Sequence, residues 1–151
     1  MLKVGDKAPD FKVLSDQGKE VTLSQFLGKK DVILYFYPKD NTSGCTKEAC
    51  SFRDNMPRFD TKKAVVLGVS PDSVKSHQGF IQKQNLNFNL LSDPEHKVAE
   101  AYGAWGEKSM YGKKYMGILR STFIIGKDGT IKKVYEKVKP EGHAEEVLQA
   151  L

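Results

Sequence analysis

The stretch Val32-Ile33-Leu34-Tyr35-Phe36-Tyr37-Pro38 decides the fold expected for this 151-residue chain. Residues 32–37 are apolar at every position and rich in β-branched and aromatic types, which predicts a strand buried on both faces of a sheet. Pro38 ends this strand, because proline has no amide hydrogen to give to a ladder. A second run, Ala64-Val65-Val66-Leu67-Gly68-Val69-Ser70, predicts another buried strand. Two such strands indicate an α/β protein.

Shorter patterns surround these two strands and complete the expected fold. Turn residues between apolar runs predict a hairpin near the N-terminus and another before the last helix. Asp93 and Pro94 supply an N-cap and a first helical residue. The expected elements are hairpin strands 11–14 and 20–23, a helix from Cys45 to about Asn55, a helix from Pro71 to about Gln84, a strand 88–91, a helix from Asp93, a loop from Gly103 to Gly117, hairpin strands 122–125 and 130–135, and a helix from Glu141 to Leu151.

The order of these elements predicts a single domain over residues 1–151. No repeat, low-complexity tract or Pro/Gly/Ser-rich linker divides the chain. We expect a central mixed β-sheet with helices on both faces, right-handed crossovers and an N-terminal β-hairpin. The sequence of strand, helix, strand, helix, strand, strand and helix is that of a thioredoxin-like fold.

Composition excludes several classes of protein. Lysine and arginine number 24 against 19 aspartate and glutamate, a net charge of +5, but the basic residues are scattered and no groove-reading motif accompanies them. Nucleic-acid binding by a basic, non-catalytic module stays open as a disfavoured alternative. The longest apolar run has six residues, too few for a bilayer, and the N-terminus lacks a secretory pattern. We therefore expect no membrane partner and a cytoplasmic location.

The two cysteines, Cys45 and Cys50, carry the sharpest chemical signal. A loop of residues 39–44 leaves the buried strand and delivers Cys45 into the first turn of a helix. Free amide groups and the helix dipole stabilise a thiolate there, so Cys45 is expected to be nucleophilic near neutral pH. The alternative is a packed and inert thiol. A zinc site is disfavoured, since the histidines supply no second ligand pair and are expected at the surface.

The spacing of the two cysteines limits how they can react with each other. Residues five apart on an α-helix have Cα atoms roughly 8–9 Å apart, beyond the ~7 Å limit for a disulfide. Either Cys45 and Cys50 never join, or joining requires the helix to unwind. In the second case Cys45 is first oxidised to sulfenic acid, and Cys50 condenses with it.

Three motifs give the chain a family resemblance. They are Pro38…Thr42-Ser43-Gly44-Cys45-Thr46-Lys47-Glu48-Ala49-Cys50-Ser51-Phe52-Arg53-Asp54, Trp105-Gly106-Glu107-Lys108-Ser109-Met110-Tyr111-Gly112-Lys113-Lys114-Tyr115-Met116-Gly117 followed by Arg120-Ser121-Thr122-Phe123-Ile124-Ile125, and Gly5-Asp6-Lys7-Ala8-Pro9-Asp10-Phe11. Together they resemble the peroxiredoxins, in particular the peroxiredoxin Q group, also called bacterioferritin comigratory proteins. Ser43 departs from the pattern, since many members carry proline there.

The resemblance implies a role for each matching residue. Cys45 is the peroxidatic nucleophile, and Cys50 resolves its sulfenic acid as an intramolecular disulfide. The Thr42 hydroxyl and the Cys45 amide position the peroxide oxygens, although Thr42 could be only an N-cap. Arg120 stabilises the thiolate and the charge on the leaving oxygen. Pro38 shields the pocket from water, and Glu48 orients the arginine or merely pairs with a lysine.

The function implied is an atypical two-cysteine thiol peroxidase that reduces hydrogen peroxide and organic hydroperoxides. It needs no metal or organic cofactor, and a thioredoxin-like protein or a glutaredoxin is expected to reduce the disulfide. The family includes monomers and dimers, so a monomer or a weak homodimer is expected. A protein thiol–disulfide oxidoreductase is the main alternative. Four residues separate the cysteines instead of the usual two, which disfavours it.

Overall fold

The computed structural model of the protein describes all of residues 1–151. A seven-stranded mixed sheet in the order β2-β1-β5-β4-β3-β8-β9 forms its centre, and β6 and β7 form a separate hairpin. The elements are β1 (Lys12–Ser15), β2 (Glu20–Thr22), β3 (Asp31–Phe36), α1 (Ser43–Asp54), α2 (Met56–Thr61), β4 (Ala64–Ser70), α3 (Val74–Gln84), β5 (Asn89–Ser92), α4 (Lys97–Tyr102), β6 (Trp105–Met110), β7 (Lys113–Ile118), β8 (Ser121–Ile125), β9 (Ile131–Tyr135) and α5 (His143–Gln149).

Strand β3 lies at the centre of the sheet, as its composition predicts. It pairs in parallel with β4 and antiparallel with β8, and residues 32–36 are buried. Side chains alternate between the two faces of a strand, so an all-apolar strand faces two cores. Val32, Leu34 and Phe36 enter a core that includes α4, whereas the other face packs against α1, α2, α3 and α5. The expected α/β sheet with helices on both faces is confirmed.

Both predicted hairpins are present. Strands β1 and β2 pair antiparallel near the N-terminus, and β8 and β9 pair antiparallel before α5. Strand β5 begins one residue later than expected, and α5 is shorter than the predicted helix from 141 to 151. Helix α3 begins at Val74 rather than at Pro71, because Ser73 is its N-cap and accepts from the Ser76 amide.

Two expectations near the middle of the chain are wrong. The segment from Gly103 to Gly117 is a hairpin rather than a loop, closed by Tyr111 and Gly112, which both have positive φ. Helix α4 begins at Lys97 and not at Asp93. The Asp93 carboxylate still accepts from the amides of Val98 and Ala99, at 3.2 and 3.0 Å, so it satisfies the start of the helix from outside it.

Helix α1 carries the cysteines, and its burial follows its sequence. Cys45, Glu48, Ala49 and Phe52 lie on one stripe at helical spacing and are buried against the sheet. The Phe52 ring stacks on Tyr35 of β3 with ring centroids 4.7 Å apart. The helix begins two residues earlier than expected and is followed directly by the short helix α2. None of the five helices is both long and apolar enough to cross a membrane.

Candidate active site

The loop between β3 and α1 places Cys45 beyond the carboxyl end of the central strand β3. Thr42 occupies the N-cap position in an extended conformation, and Ser43 begins the helix. The main-chain oxygen of Thr42 accepts from the Thr46 amide at 2.9 Å, whereas the Cys45 amide has no hydrogen-bond partner. The Cys45 side chain is only 1% exposed. A buried thiol beside a free amide at a helix start is suited to bind and attack a small polar molecule.

Thr42 has the expected position but an unexpected contact. Its side chain makes no cap with the helix; the hydroxyl instead donates to the carbonyl oxygen of Lys39 at 2.9 Å. The same hydroxyl oxygen keeps its capacity to accept a hydrogen bond. Pro38, half-buried, lies one residue before Lys39. The loop therefore presents a hydroxyl acceptor and an amide donor three positions apart along the chain.

Arg120 connects the cysteine to a buried carboxylate. It lies between β7 and β8, and its Nη2 donates to the Cys45 Sγ at 3.1 Å. Its Nη1 donates to Glu48 Oε1 at 2.8 Å, and the Arg120 side chain is 19% exposed. Burial lowers the pKa of Arg120, but the charges and hydrogen bonds of Cys45 and Glu48 together raise it above its usual value. A permanent cation therefore lies against the sulfur atom.

Glu48 is unusual because it is fully buried with one oxygen unsatisfied. Its Oε2 has no hydrogen-bond partner, and burial raises the pKa of its carboxyl group to about 7, although Arg120 opposes that rise. The alternative in which Glu48 pairs with a lysine is wrong, since its partner is Arg120. Near neutral pH this carboxyl group can hold or release a proton within two contacts of the Cys45 sulfur.

Two further residues near Cys45 were missed as site residues by the sequence. The buried hydroxyl of Tyr35 has no partner, and burial together with the charges of Glu48 and Cys45 raises the pKa of Tyr35 well above its usual value. Lys108 of β6 interacts electrostatically with the site. Burial and the charge of Arg120 lower the pKa of Lys108, while the charge of Cys45 raises it. Lys108 belongs to a quoted motif, but nothing in the motif pointed to this position.

Cys50 lies on the same helix but on a different face. It is half-buried, and its Sγ lies 3.6 Å from Gln84 Oε1 of α3. Both cysteines are free thiols. Because they are five positions apart on an intact helix, about 140° separates their directions around the axis. The structure thus keeps the two sulfur atoms apart while α1 is folded.

The expectation of surface histidines is wrong for His77 and His143. His77 is fully buried, and its Nδ1 lies 2.7 Å from Asp40 Oδ2. His143 is buried between Thr122 and Glu146, at 2.7 and 2.9 Å. The one group of three potential metal-ligating side chains is Asp40, Asp72 and His77, and it contains neither cysteine.

The chain is similar to known proteins over nearly its whole length. The model of the AhpC/TSA family matches residues 4–134. The putative peroxiredoxin bcp of Coxiella burnetii is 53% identical over 150 residues, 99% of each chain, and peroxiredoxin Bcp of Bacillus subtilis is 51% identical over 99% of this chain and 95% of its own. A Xylella fastidiosa PrxQ mutant structure superposes with a TM-score of 0.93 at 40% identity, covering 99% of this chain and 94% of that one. The bacterioferritin comigratory protein of Xanthomonas campestris, described in terms of its alkyl peroxide reduction activity, gives 0.88 at 41% identity, with 93% and 88% covered.

Proposed function

This chain belongs to the AhpC/TSA family and is a thiol peroxidase of the peroxiredoxin type, and we propose that Cys45 is its peroxidatic residue and Cys50 its resolving residue. The observation that carries the proposal is the guanidinium of Arg120, which donates to the Cys45 sulfur and to Glu48 at once. A cation fixed on a buried sulfur atom stabilises the negative charge that the sulfur carries during nucleophilic attack.

In the first step the Cys45 thiolate attacks one peroxide oxygen. A sulfur–oxygen bond forms, the oxygen–oxygen bond breaks, and the other oxygen leaves with the bonding pair and takes a proton. The products are Cys45 sulfenic acid and water or an alcohol. The Thr42 hydroxyl and the Cys45 amide hold the peroxide oxygens, and Arg120 stabilises the negative charge that spreads over sulfur and oxygen. Pro38 limits the access of water.

In the second step Cys50 resolves the sulfenic acid. Its thiolate attacks the Cys45 sulfur, the sulfur–sulfur bond forms as the sulfur–oxygen bond breaks, and the departing hydroxide takes up the proton that the Cys50 thiol released, giving water. Since the two sulfur atoms cannot meet on an intact helix, α1 unwinds at this stage. The product is an intramolecular disulfide, which makes the enzyme an atypical two-cysteine peroxidase.

In the third step a dithiol protein reduces the disulfide through a mixed disulfide. A thioredoxin-like protein or a glutaredoxin fits, because either supplies two electrons and two protons as a pair of thiols. Hydrogen peroxide and organic hydroperoxides are the proposed substrates, and the cytoplasm is the proposed location. The enzyme acts as a monomer or weak homodimer, without nucleic acid or membrane.

The alternative, a protein thiol–disulfide oxidoreductase, is less well supported. Such an enzyme exchanges its disulfide with protein substrates, which needs an accessible attacking sulfur. Here Cys45 is 1% exposed and is covered by Arg120. A site of this kind admits a small molecule more readily than a protein chain.

Peroxide turnover coupled to NADPH oxidation tests the proposal. The wild type is compared with Cys45→Ser and Cys50→Ser, using thioredoxin with its reductase and, separately, glutaredoxin with glutathione. We expect Cys45→Ser to lose all activity. Cys50→Ser should lose turnover with thioredoxin yet still consume peroxide with dithiothreitol. Full peroxidase activity in Cys45→Ser would overturn the proposal.

A further inference from the structure

A buried, hydrogen-bonded pair of side chains lies under the loop that carries Pro38 and Thr42. Asp40 is 4% exposed and His77 is fully buried, and Asp40 Oδ2 lies 2.7 Å from His77 Nδ1. We infer that this pair holds the loop of residues 38–42 in place and so sets where Thr42 presents its hydroxyl to a peroxide at Cys45. Asp40 and His77 are thus positioning residues. The inference rests on the proposed roles of Cys45 and Thr42.

Further hydrogen bonds fix both side chains of the pair. His77 Nε2 lies 2.9 Å from the carbonyl oxygen of Leu91, which can only accept, so Nε2 carries a hydrogen. The Asp40 carboxylate already accepts from Tyr37 at 2.6 Å and from Ser76 at 2.8 Å. His77 Nδ1 is the third hydrogen-bond partner of this carboxyl group, at 2.7 Å. Both side chains are therefore fixed at every polar atom, which holds Asp40 in a single position.

Asp40 is fixed through its main chain as well as its side chain. Its amide donates to Asp72 Oδ2 at 2.8 Å, and the same oxygen accepts from Ser70 Oγ at 2.8 Å. Asn41, the next residue, has a left-handed φ of 64°, and Thr42 is extended. Asn41 and Thr42 follow Asp40 directly in the chain, so their positions depend on where Asp40 is held. A shift of Asp40 is therefore passed directly to the Thr42 hydroxyl and the start of α1.

The support of the pair lies outside the helix that must unwind. His77 belongs to α3, which Ser73 caps, and reaches β5 through Leu91. Neither α3 nor β5 contains a cysteine. The pair can therefore hold residues 38–42 while α1 opens for the resolving step. It also provides a fixed reference against which α1 refolds after reduction.

Two substitutions of His77 separate its two contacts. Asparagine places an amide nitrogen near the position of Nδ1 and can still donate to Asp40. Glutamine places its amide nitrogen near the position of Nε2 and can still donate to Leu91, but it leaves Asp40 without its third hydrogen-bond partner. Both variants are neutral and smaller than histidine. Only the loss of the Asp40 contact is expected to move the loop.

The experiment uses the full chain with Cys50→Ser, so that Cys45 is the one reporting thiol. Rates of Cys45 oxidation by hydrogen peroxide and of its alkylation by iodoacetamide are measured in single turnover by mass spectrometry. We expect His77→Gln to slow the peroxide reaction by about tenfold or more, since misplacement of a positioned group by 1 Å can cost up to about a hundredfold. His77→Asn should keep most of the peroxide rate. Alkylation, which does not use Thr42, should change by less than about threefold in both.

Asp40→Asn provides a second and independent test. It should slow the peroxide reaction, and adding His77→Gln to it should cause little further loss if His77 acts through Asp40. Equal peroxide rates in His77→Gln and the parent would overturn the inference, as would equal losses in the glutamine and asparagine variants. If His77→Gln does not fold, a normal peroxide rate in Asp40→Asn overturns it. A parent in which Cys45 does not react with peroxide would instead contradict the proposed function.

Discussion

The Arg120 side chain shows why the type of cation in the site is important. Its two terminal nitrogens contact two different partners, the Cys45 sulfur at 3.1 Å and Glu48 Oε1 at 2.8 Å. A planar guanidinium can make both contacts without moving, whereas the single nitrogen of a lysine is a point charge on a flexible stem. Charge alone is therefore not enough for this position.

Replacing Arg120 by lysine should slow the reaction of Cys45 with hydrogen peroxide by about 10- to 100-fold, although the net charge is unchanged. The loss arises because lysine cannot hold sulfur and carboxylate together. Stopped-flow measurement of the peroxide reaction checks the prediction. Arg58→Lys is the matched control, since Arg58 is exposed and its side chain hydrogen-bonds to Asn55, away from the site. A rate in Arg120→Lys equal to that of the control would contradict a role for the two simultaneous guanidinium contacts.

The Glu48 carboxyl group makes stability depend on pH in an uncommon direction. Its pKa is raised by burial to about 7 in the folded protein from 4.5 in an unperturbed chain. Between these pH values the folded state keeps a proton that the unfolded state has lost. Rising pH therefore reduces the free energy of unfolding until both states are ionised, above about pH 7.

Replacing Glu48 by glutamine removes this titration. The free energy of unfolding of Glu48→Gln, relative to wild type, should improve by on the order of 1–3 kcal/mol between pH 5 and pH 8. Urea unfolding of the reduced proteins at both pH values measures the difference. Glu145→Gln changes an exposed glutamate of α5 and is the control. A difference between Glu48→Gln and wild type that stays constant with pH would show that Glu48 does not titrate in this range.

At the level of elements, the central strands could be predicted because nearly all of their side chains lie in the apolar core. Strands β3 and β4 are buried on both faces and therefore read as continuous apolar runs. The stripe of Cys45, Glu48, Ala49 and Phe52 likewise places α1 against the sheet. In these elements the local pattern and the tertiary environment agree.

The β6–β7 hairpin could not be predicted in the same way. Most of its side chains are exposed or half-buried on both faces, so it lacks the alternation that identifies a strand. The burial of His77 was missed for another reason: its partner Asp40 lies 37 positions away. Arg120 lies 75 positions from Cys45, and only the family resemblance brought them together in advance.

Oxidation should open α1 and leave its neighbours folded. Hydrogen exchange of the amides of residues 43–54 is expected to rise when the disulfide forms, because the two sulfur atoms cannot meet on an intact helix. Amides of α3 should exchange unchanged and provide the internal control. Cys50→Ser, which cannot form the disulfide, should show no such rise after peroxide treatment. Unchanged protection of the Cys50 amide in the oxidised wild type would contradict the unwinding.

At the scale of the whole molecule, the site is assembled from distant segments held by one sheet. The loop and α1 follow β3, Arg120 precedes β8, and His77 reaches the loop from α3. Since β3 pairs directly with β4 and β8, these supports are joined through the most buried part of the protein. In the proposed cycle, helix α1 is the one element that must both complete this site and leave it.

This conflict predicts that the disulfide destabilises the whole protein. Closing a loop of six residues constrains the unfolded chain by only about 2 kcal/mol. Unwinding α1 removes Ala49 and Phe52 from the core, and loss of a single buried phenylalanine side chain alone costs about 3–5 kcal/mol. The oxidised enzyme should therefore melt at least several degrees below the reduced enzyme, since each kcal/mol corresponds to about 2–4 °C at this size. Calorimetry of the reduced and oxidised enzymes measures the two melting temperatures. Cys50→Ser, which cannot form the disulfide, is the control, and its melting temperature should not fall in this way after oxidation. A higher melting temperature in the oxidised form would mean that the folded helix can hold the disulfide after all.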